Sequence, residues 1–289
     1  MLLLIDGSTI FFRSFHGIPA TMRTSKGELV NAVFGFTNSI MALVEEFQPT
    51  HIACAFDLAA KTFRHDAFAG YKANRAEAPE GMFEQLPRIH AMLAAMGITS
   101  IALPGYEADD VIGTLSAMAE TQHLPSLIVS GDNDFIQLVS PLTSFFTIAR
   151  GMRLATTITP DLVLANHGLT PSQWIDYKAL RGDPSDNLPG VPGIGEKTAK
   201  ELLKSWQSLD NLYNHLSEIK PTLQTKLREH EKDARFTKEM VTIHRTSPIT
   251  EQIRDIACVG YNNPQMYELC NELEFHKLAQ RFAGPATLF

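Results

Sequence analysis

Ser126-Leu127-Ile128-Val129-Ser130-Gly131-Asp132 is an apolar run closed by a glycine and an aspartate, and it has two counterparts: Leu2-Leu3-Leu4-Ile5-Asp6 and Ile52-Ala53-Cys54-Ala55-Phe56-Asp57. Short apolar runs without polar alternation are the pattern of strands buried on both faces, as in a parallel sheet. Residues 99–103 and 145–148 add two more candidate strands. Between the first two runs lies a helical period through Val30, Val33, Phe34, Ile40, Met41, Val44 and Phe47, and further helices are expected over residues 82–96 and 107–121. Strands alternating with helices predict an α/β fold with a mostly parallel central sheet flanked by helices, occupying residues 1–165.

Beyond about residue 160 the strand signal fades. Pro160, Pro171, Pro184, Pro189 and Pro192 punctuate short helical segments, with helices expected at 197–206, 209–215 and 222–245. Residues 166–255 therefore read as a helical subdomain and residues 256–289 as one more helix and a frayed tail.

Composition narrows the class. A chain of 289 residues that is 44% hydrophobic and 20% charged can bury a core without staples. Three cysteines (Cys54, Cys258, Cys270) without a CxxC spacing exclude a disulfide scaffold and a zinc finger, and favour a reducing, cytoplasmic setting. No apolar run approaches the roughly 18 residues of a membrane span, and the first one meets Asp6 too early for a secretory signal. The net charge of −7 argues at first against a nucleic-acid partner, but setting nine clustered acids aside leaves 23 against 25 Lys and Arg.

Those nine acids are the strongest functional signal. Asp6, Asp57 and Asp132 stand at or just past the ends of strands, where open α/β sheets bind ligands. Glu107, Asp109 and Asp110 open a helix, Asp134 follows Asp132 by two residues, and Asp183 and Asp186 come from Gly182-Asp183-Pro184-Ser185-Asp186-Asn187. Singly, each is an ordinary N-cap or turn residue. Together they would repel one another unless a cation intervened, and all-oxygen ligation suits two Mg²⁺ or Mn²⁺ ions able to hydrolyse a phosphodiester.

Two further segments complement the acids. Lys61, Arg64, His65, Tyr71, Lys72 and Arg75 form a basic stretch beside them, with Tyr71 offering a face to an exposed base. Gly190-Val191-Pro192-Gly193-Ile194-Gly195-Glu196-Lys197-Thr198 nearly matches a P-loop, but Glu196 interrupts the motif and no strand precedes it. It reads instead as a helix-hairpin-helix turn whose backbone N–H groups, with Lys197 and Lys200, grip duplex phosphates without reading sequence.

The whole pattern resembles the 5′ nuclease (flap endonuclease) family, closest to the N-terminal 5′→3′ exonuclease domain of bacterial DNA polymerase I. The resemblance runs from Leu4-Ile5-Asp6-Gly7 through Tyr71-Lys72-Ala73-Asn74-Arg75 and Gly105-Tyr106-Glu107-Ala108-Asp109-Asp110 to the glycine hairpin and Leu273-Glu274-Phe275. It implies a PIN-like, resolvase-like core, a helical arch around 58–105 and a helix-3-turn-helix motif. It implies Asp6, Asp57, Glu107, Asp109, Asp110 and Asp132 around one divalent metal, and Asp134, Asp183 and Asp186 completing a second. Lys72 would meet the scissile phosphate, and Arg64, Tyr71 and Arg75 would lie on the arch. Arg13 and the stretch from Gly193 through Ile194, Gly195, Glu196, Lys197 and Thr198 to Lys200 would meet DNA. The main-chain carbonyls of Leu180, Arg181, Pro189, Val191 and Ile194 would hold a K⁺. Departures are visible at Phe12 and Asn133, where the family commonly has tyrosine and lysine, and in the segment 76–81.

The expected activity is structure-specific 5′→3′ exonuclease and 5′-flap endonuclease cleavage of DNA at flaps, nicks and RNA primers. The enzyme is expected to be monomeric and nucleoid-associated, with a sliding clamp or DNA polymerase as partner. Two alternatives use the same residues: a DNA-structure-binding module with vestigial catalysis, and a metal-dependent phosphatase of small molecules, which leaves the hairpin without a use. The tail 286–289 loosely resembles the hydrophobic end of a clamp-binding peptide.

Overall fold

The computed structural model describes residues 1–149, 151 and 154–284. Six strands form one sheet: β1 (Leu2–Asp6), β2 (His51–Ala55), β3 (Thr99–Ile101), β4 (Ser126–Ser130), β5 (Thr143–Thr147) and β6 (Thr156–Ile158), in the order β3-β2-β1-β4-β5-β6. The first five pair in parallel, and β6 adds antiparallel to β5. β6 was not expected; its Thr156-Thr157-Ile158 is too short and too polar to stand out from a loop.

Period-two alternation sends Leu2, Leu4, Ala53, Ala55 and Ile128 into one hydrophobic core and Leu3, Ile5, Ile52, Cys54, Leu127 and Val129 into the other. With β1 central and bonded to both β2 and β4, the connections leave it in opposite directions. The crevice at the carboxyl ends of β1 and β4 is thus a topological switch point.

The helices preceding and framing this crevice are α1 (Gly7–Gly17), α2 (Asn31–Phe47), α3 (Phe63–Ala67), α4 (Leu86–Ala95) and α5 (Ala108–Thr121). The helix expected over 82–96 is a 3₁₀ turn, Phe83–Gln85, running into α4, where Pro87 occupies the first turn. α2 has no side-chain cap of its own. Buried Gln85 supplies one from afar, its Oε1 accepting from the N–H groups of Ala32 (2.9 Å) and Val33 (3.3 Å). Its amide donates to Asn31 Oδ1, and Asn31 Nδ2 donates to the carbonyls of Phe15 and Ile18. The middle of the 58–105 segment, just before α4, is thereby fastened to the α1–α2 hairpin.

The helical half comprises α6 (Pro160–His167), α7 (Gln173–Arg181), α8 (Glu196–Trp206), α9 (Leu209–Asn214), α10 (Pro221–Glu229) and α11 (Glu231–Val241). The single helix expected over 222–245 is broken at His230, which leaves helical geometry. One hydrophobic cluster runs without interruption from Leu2 and Leu4 to Tyr177, Leu203 and Leu227, so the helical half shares its core with one face of the sheet. The far end returns to the other face: α12 (Asn263–Glu272) and α13 (His276–Ala279) bury Met266, Cys270, Leu273, Phe275 and Leu278 in the core formed by α2 and α4. The one helix expected in residues 256–289 is divided into α12, α13 and a 3₁₀ turn, Gln280–Phe282, with Phe282 buried; residues 286–289 lie outside the described residues. Among these, no helix is long and apolar enough to cross a membrane.

Glu120, in the last turn of α5, ties that helix to β5 and to the segment after α11. It accepts from Ser140 Oγ (2.5 Å), Thr143 Oγ1 (2.9 Å) and Arg245 Nη2 (2.5 Å). Burial alone would raise its carboxyl, but these donors and the Arg245 charge hold it below the ordinary value of 4.5. A depressed folded-state value means stability that is present above about pH 4.5 and lost as pH falls through the lower folded value. Glu120→Gln is therefore expected to flatten the acid limb of a thermal-unfolding profile below that range and to change the profile little in shape above it.

Candidate active site

Four of the nine acids, Asp6, Asp57, Asp109 and Asp132, come together at the switch crevice because strand ends and helix starts converge there. Asp6 ends β1 and caps α1, its Oδ1 accepting from Thr9 N–H at 2.9 Å and its Oδ2 from Thr9 Oγ1 and Ser130 Oγ, each at 2.5 Å. Asp57 follows β2; its N–H donates to Ser8 Oγ (2.9 Å), and its Oδ1 accepts from the N–H of Ala108 (3.0 Å) at the start of α5. Asp132 caps the 3₁₀ turn Asn133–Leu138 by accepting from the N–H of Asp134 at 2.9 Å.

Asp109 sits among these three and accepts no hydrogen bond from any described residue. Burial and the neighbouring Asp132, Asp6 and Asp57 push its carboxyl well above the ordinary carboxylate range. Burial likewise raises Asp6 to about 6, with Asp57 contributing, and raises Asp134 to about 7, with Asp132 contributing.

A second group lies against the helical half. Buried Asp134 and Asp183 share the ammonium of Lys178 on α7, which is 2.7 Å from Asp183 Oδ2. Asp183 is also the acceptor for Ser185 N–H and Oγ, and Lys178 with these donors outweighs burial to hold its carboxyl low. Asp186 accepts from Arg75 Nη2 (2.7 Å) and Tyr71 Oη (3.1 Å).

The basic stretch departs from expectation. Arg64 is 2% exposed and cannot serve as an arch contact to DNA. Its guanidinium forks onto Asp110 at 2.7 and 2.9 Å, reaches Glu107 at 3.3 Å, and donates to the carbonyls of Met240 and Thr242. Asp110 is fully buried, and its oxygens also accept from the N–H groups of Glu107 and His244. Burial would raise the Asp110 carboxyl, but Arg64 holds it below the usual range. Asp110 thus shares Arg64 with Glu107 and is turned into a clamp between α5 and the end of α11, apart from Asp6, Asp57, Asp109 and Asp132. Tyr71, 4% exposed, donates to Glu107 Oε2 (3.0 Å) and presents no free face for a base.

The Lys72 ammonium lies 2.7 Å from Glu107 Oε1, and its backbone has a left-handed φ of 55°. That conformation is costly for a lysine, and it is held by the Lys72 N–H donating to the carbonyl of Asp186 and by the ammonium on Glu107. Arg13 is half-exposed, its Nη1 donating to the carbonyl of Ala149 at 3.3 Å.

The glycine hairpin joins α7 to α8. Gly190 and Gly182 pack backbone to backbone: a Cβ on Gly190 would lie 2.3 Å from Arg181 C and Gly182 N. Gly193, Gly195, Glu196 and Lys197 are exposed, whereas the Ile194 side chain is buried and anchors the turn. The carbonyls of Leu180 and Val191 accept from Val191 N–H and Ile194 N–H at 2.9 Å, and that of Pro189 accepts from Thr237 Oγ1.

Lys178, Ser8, Thr9 and Ser130 are site residues that sequence reasoning missed. Lys178 offers only the signal of a cation five positions before Asp183, and the hydroxyls are small residues flanking the strand-end motif.

The donor set fits divalent cations. Every donor is a carboxylate oxygen, one of them has no partner, and several hold raised values that a nearby dication would reverse. As the side chains stand, no three among the described residues close on one point tightly enough to grip an ion.

Residues 1–168 match the N-terminal resolvase-like domain of the 5′-3′ exonucleases, and residues 169–264 match the 5′-3′ exonuclease C-terminal SAM fold. The chain is 39% identical over 287 residues to DNA polymerase I of Bacillus caldotenax, covering 99% of this chain and 33% of that protein. It is 38% identical to DNA polymerase I of Mycobacterium leprae, covering 97% of this chain and 31% of that protein. The chain therefore spans about a third of the length of these relatives. Among solved structures, the T5 D15 protein co-crystallised with metal ions superposes with a TM-score of 0.70 at 19% identity, covering 98% of this chain and 99% of that one. The catalytic core of Rad2 in complex with DNA substrate superposes with a TM-score of 0.59 at 14% identity, covering 97% of this chain and 91% of that one.

Proposed function

We propose, since this chain belongs to the 5′-3′ exonuclease family, that it is a structure-specific 5′ nuclease that hydrolyses phosphodiesters in nicked, flapped or RNA-primed DNA and depends on Mg²⁺ or Mn²⁺. The observation that carries the proposal is Asp109: a carboxylate without a hydrogen-bond partner among the described residues, set among Asp6, Asp57 and Asp132 at the switch crevice. An acid kept in that position costs stability, and a cation-binding role accounts for it.

Asp6, Asp57, Asp109 and Asp132, with Glu107, would hold one ion, and Asp134, Asp183 and Asp186 a second. Bound ions would polarise the phosphodiester and a water and offset charge on the leaving oxygen. Ser8, Thr9 and Ser130 hold Asp6 and the Asp57 backbone in place. The Lys72 ammonium, 2.7 Å from Glu107, would transfer to a phosphate oxygen and stabilise its developing charge. Exposed Lys197 and the hairpin N–H groups would hold the duplex. A K⁺ shared by the carbonyls of Leu180, Arg181, Pro189, Val191 and Ile194 would brace that turn, using the second lone pairs of those already engaged. Because the matching relatives are DNA polymerases I, we place the enzyme beside a DNA polymerase in replication and repair.

Cleavage of a 5′-flap duplex with mapped products tests this reading. We expect a 5′-phosphate and a 3′-hydroxyl in Mg²⁺ and no product in EDTA. Flap binding without turnover in either metal would leave only a binding module, and hydrolysis of an aryl phosphate with DNA left intact would indicate the phosphatase.

A further inference from the structure

We propose that Lys226, on α10, is a phosphate-contacting residue that completes the duplex grip of the glycine hairpin; this rests on the nuclease reading above. Gly193 adopts a left-handed φ of 77°, and a Cβ built on it would lie 2.4 Å from Lys226 Nζ, with Cε and Cδ at 3.5 and 3.8 Å. The lysine therefore crosses directly over the hairpin backbone, through space that only a glycine leaves open. Its ammonium has no ion pair or hydrogen bond with any described residue, although the side chain is exposed.

The surroundings select an anion. Gly193 and Gly195 are exposed, the N-terminus of α8 carries no side-chain cap, and neighbouring Lys197 is also exposed and without a partner among the described residues. The one acid between residues 190 and 200, Glu196, is neutralised by Lys200 at 2.7 Å. Two ammonium groups unpaired among the described residues flank this exposed turn from different helices, Lys197 in α8 and Lys226 in α10, 29 residues further on. A phosphate oxygen seated at Gly193 would meet backbone and ammonium together, a contact that reads charge and carries no base information.

Neutralising one phosphate contributes about 0.9 to the slope of log affinity against log salt on duplex DNA. Binding of a nicked duplex, measured between 50 and 200 mM salt in the presence of Ca²⁺ in place of Mg²⁺, should show this loss for Lys226→Gln. Affinity should fall about fivefold at the lower salt, equally for unrelated sequences. Lys226→Arg should restore the slope, and both variants should melt like the wild type because the ammonium has no partner among the described residues. Equal slopes for wild type and Lys226→Gln would overturn the inference while leaving the nuclease reading standing. Absence of salt-dependent duplex binding by the wild type would remove both.

Discussion

Replacing Arg64 with Met is expected to cost about 3–5 kcal/mol of folding stability. The guanidinium and the Asp110 carboxylate are both buried, and Arg64 also satisfies the carbonyls of Met240 and Thr242. Removing one partner strands the other as an uncompensated buried charge, which is the expensive way to break an ion pair. For a chain of this size the loss corresponds to a fall in melting temperature of roughly 10 °C. Replacing both partners, Arg64→Met with Asp110→Leu, should recover only part of it: no buried charge of the pair is left alone, but the carbonyls of Met240 and Thr242 and the N–H groups of Glu107 and His244 lose their partners. Thermal unfolding of the single and double variants separates the possibilities. An unchanged melting temperature in Arg64→Met, with weaker DNA binding, would return Arg64 to the substrate surface.

Asp109→Asn is expected to move activity and metal-free stability in opposite directions. Cleavage should fall on the order of 10³-fold, since an anionic donor is lost from the centre on which charge stabilisation depends. Metal-free stability should rise by about 1 kcal/mol near pH 8. The sign follows from linkage. The folded-state value of Asp109 lies above its ordinary 3.8, so the stability it contributes is full below that pH and is lost as pH rises through the folded value. An amide, which cannot ionise, escapes that loss, and its advantage should grow with pH and shrink when Mg²⁺ is added to the wild type. Melting curves at pH 5.5 and 8, with and without Mg²⁺, measure all four conditions. A variant less stable than wild type in EDTA at pH 8 would mean that Asp109 has a protein partner and that the crevice is not built for a cation.

Arg64 and Asp110 also mark where linear reading stops. Both belong to segments whose order and spacing resemble the 5′ nucleases, and both were assigned to substrate or metal on that basis. What separates Asp109 from Asp110 is one residue of helical rotation, about 100°, on α5. That rotation leaves Asp109 facing the strand ends and turns Asp110 onto Arg64 and the backbone of His244. Periodicity indicated that α5 is a helix; which of its faces meets the crevice depends on how Ile112, Leu115 and Ala119 pack against the sheet. The same limit explains α1, unseen because Asp6-Gly7-Ser8-Thr9 reads as a turn, although Asp6 is both the end of β1 and the cap of the helix.

Read without coordinates, the chain already declares a parallel sheet, carboxylates at its strand ends and a glycine turn between helices. Those features live in near neighbours: a buried strand must be apolar throughout, a strand end must be polar, and two backbones in contact require glycine. Only the tertiary structure decides that Lys178 joins Asp134 to Asp183, that Arg64 and Tyr71 are interior, and that Lys226 lies on Gly193. Each of those facts is a distance between elements remote in the chain, and it is set by how buried apolar faces fit together, to which the polar residue itself contributes little.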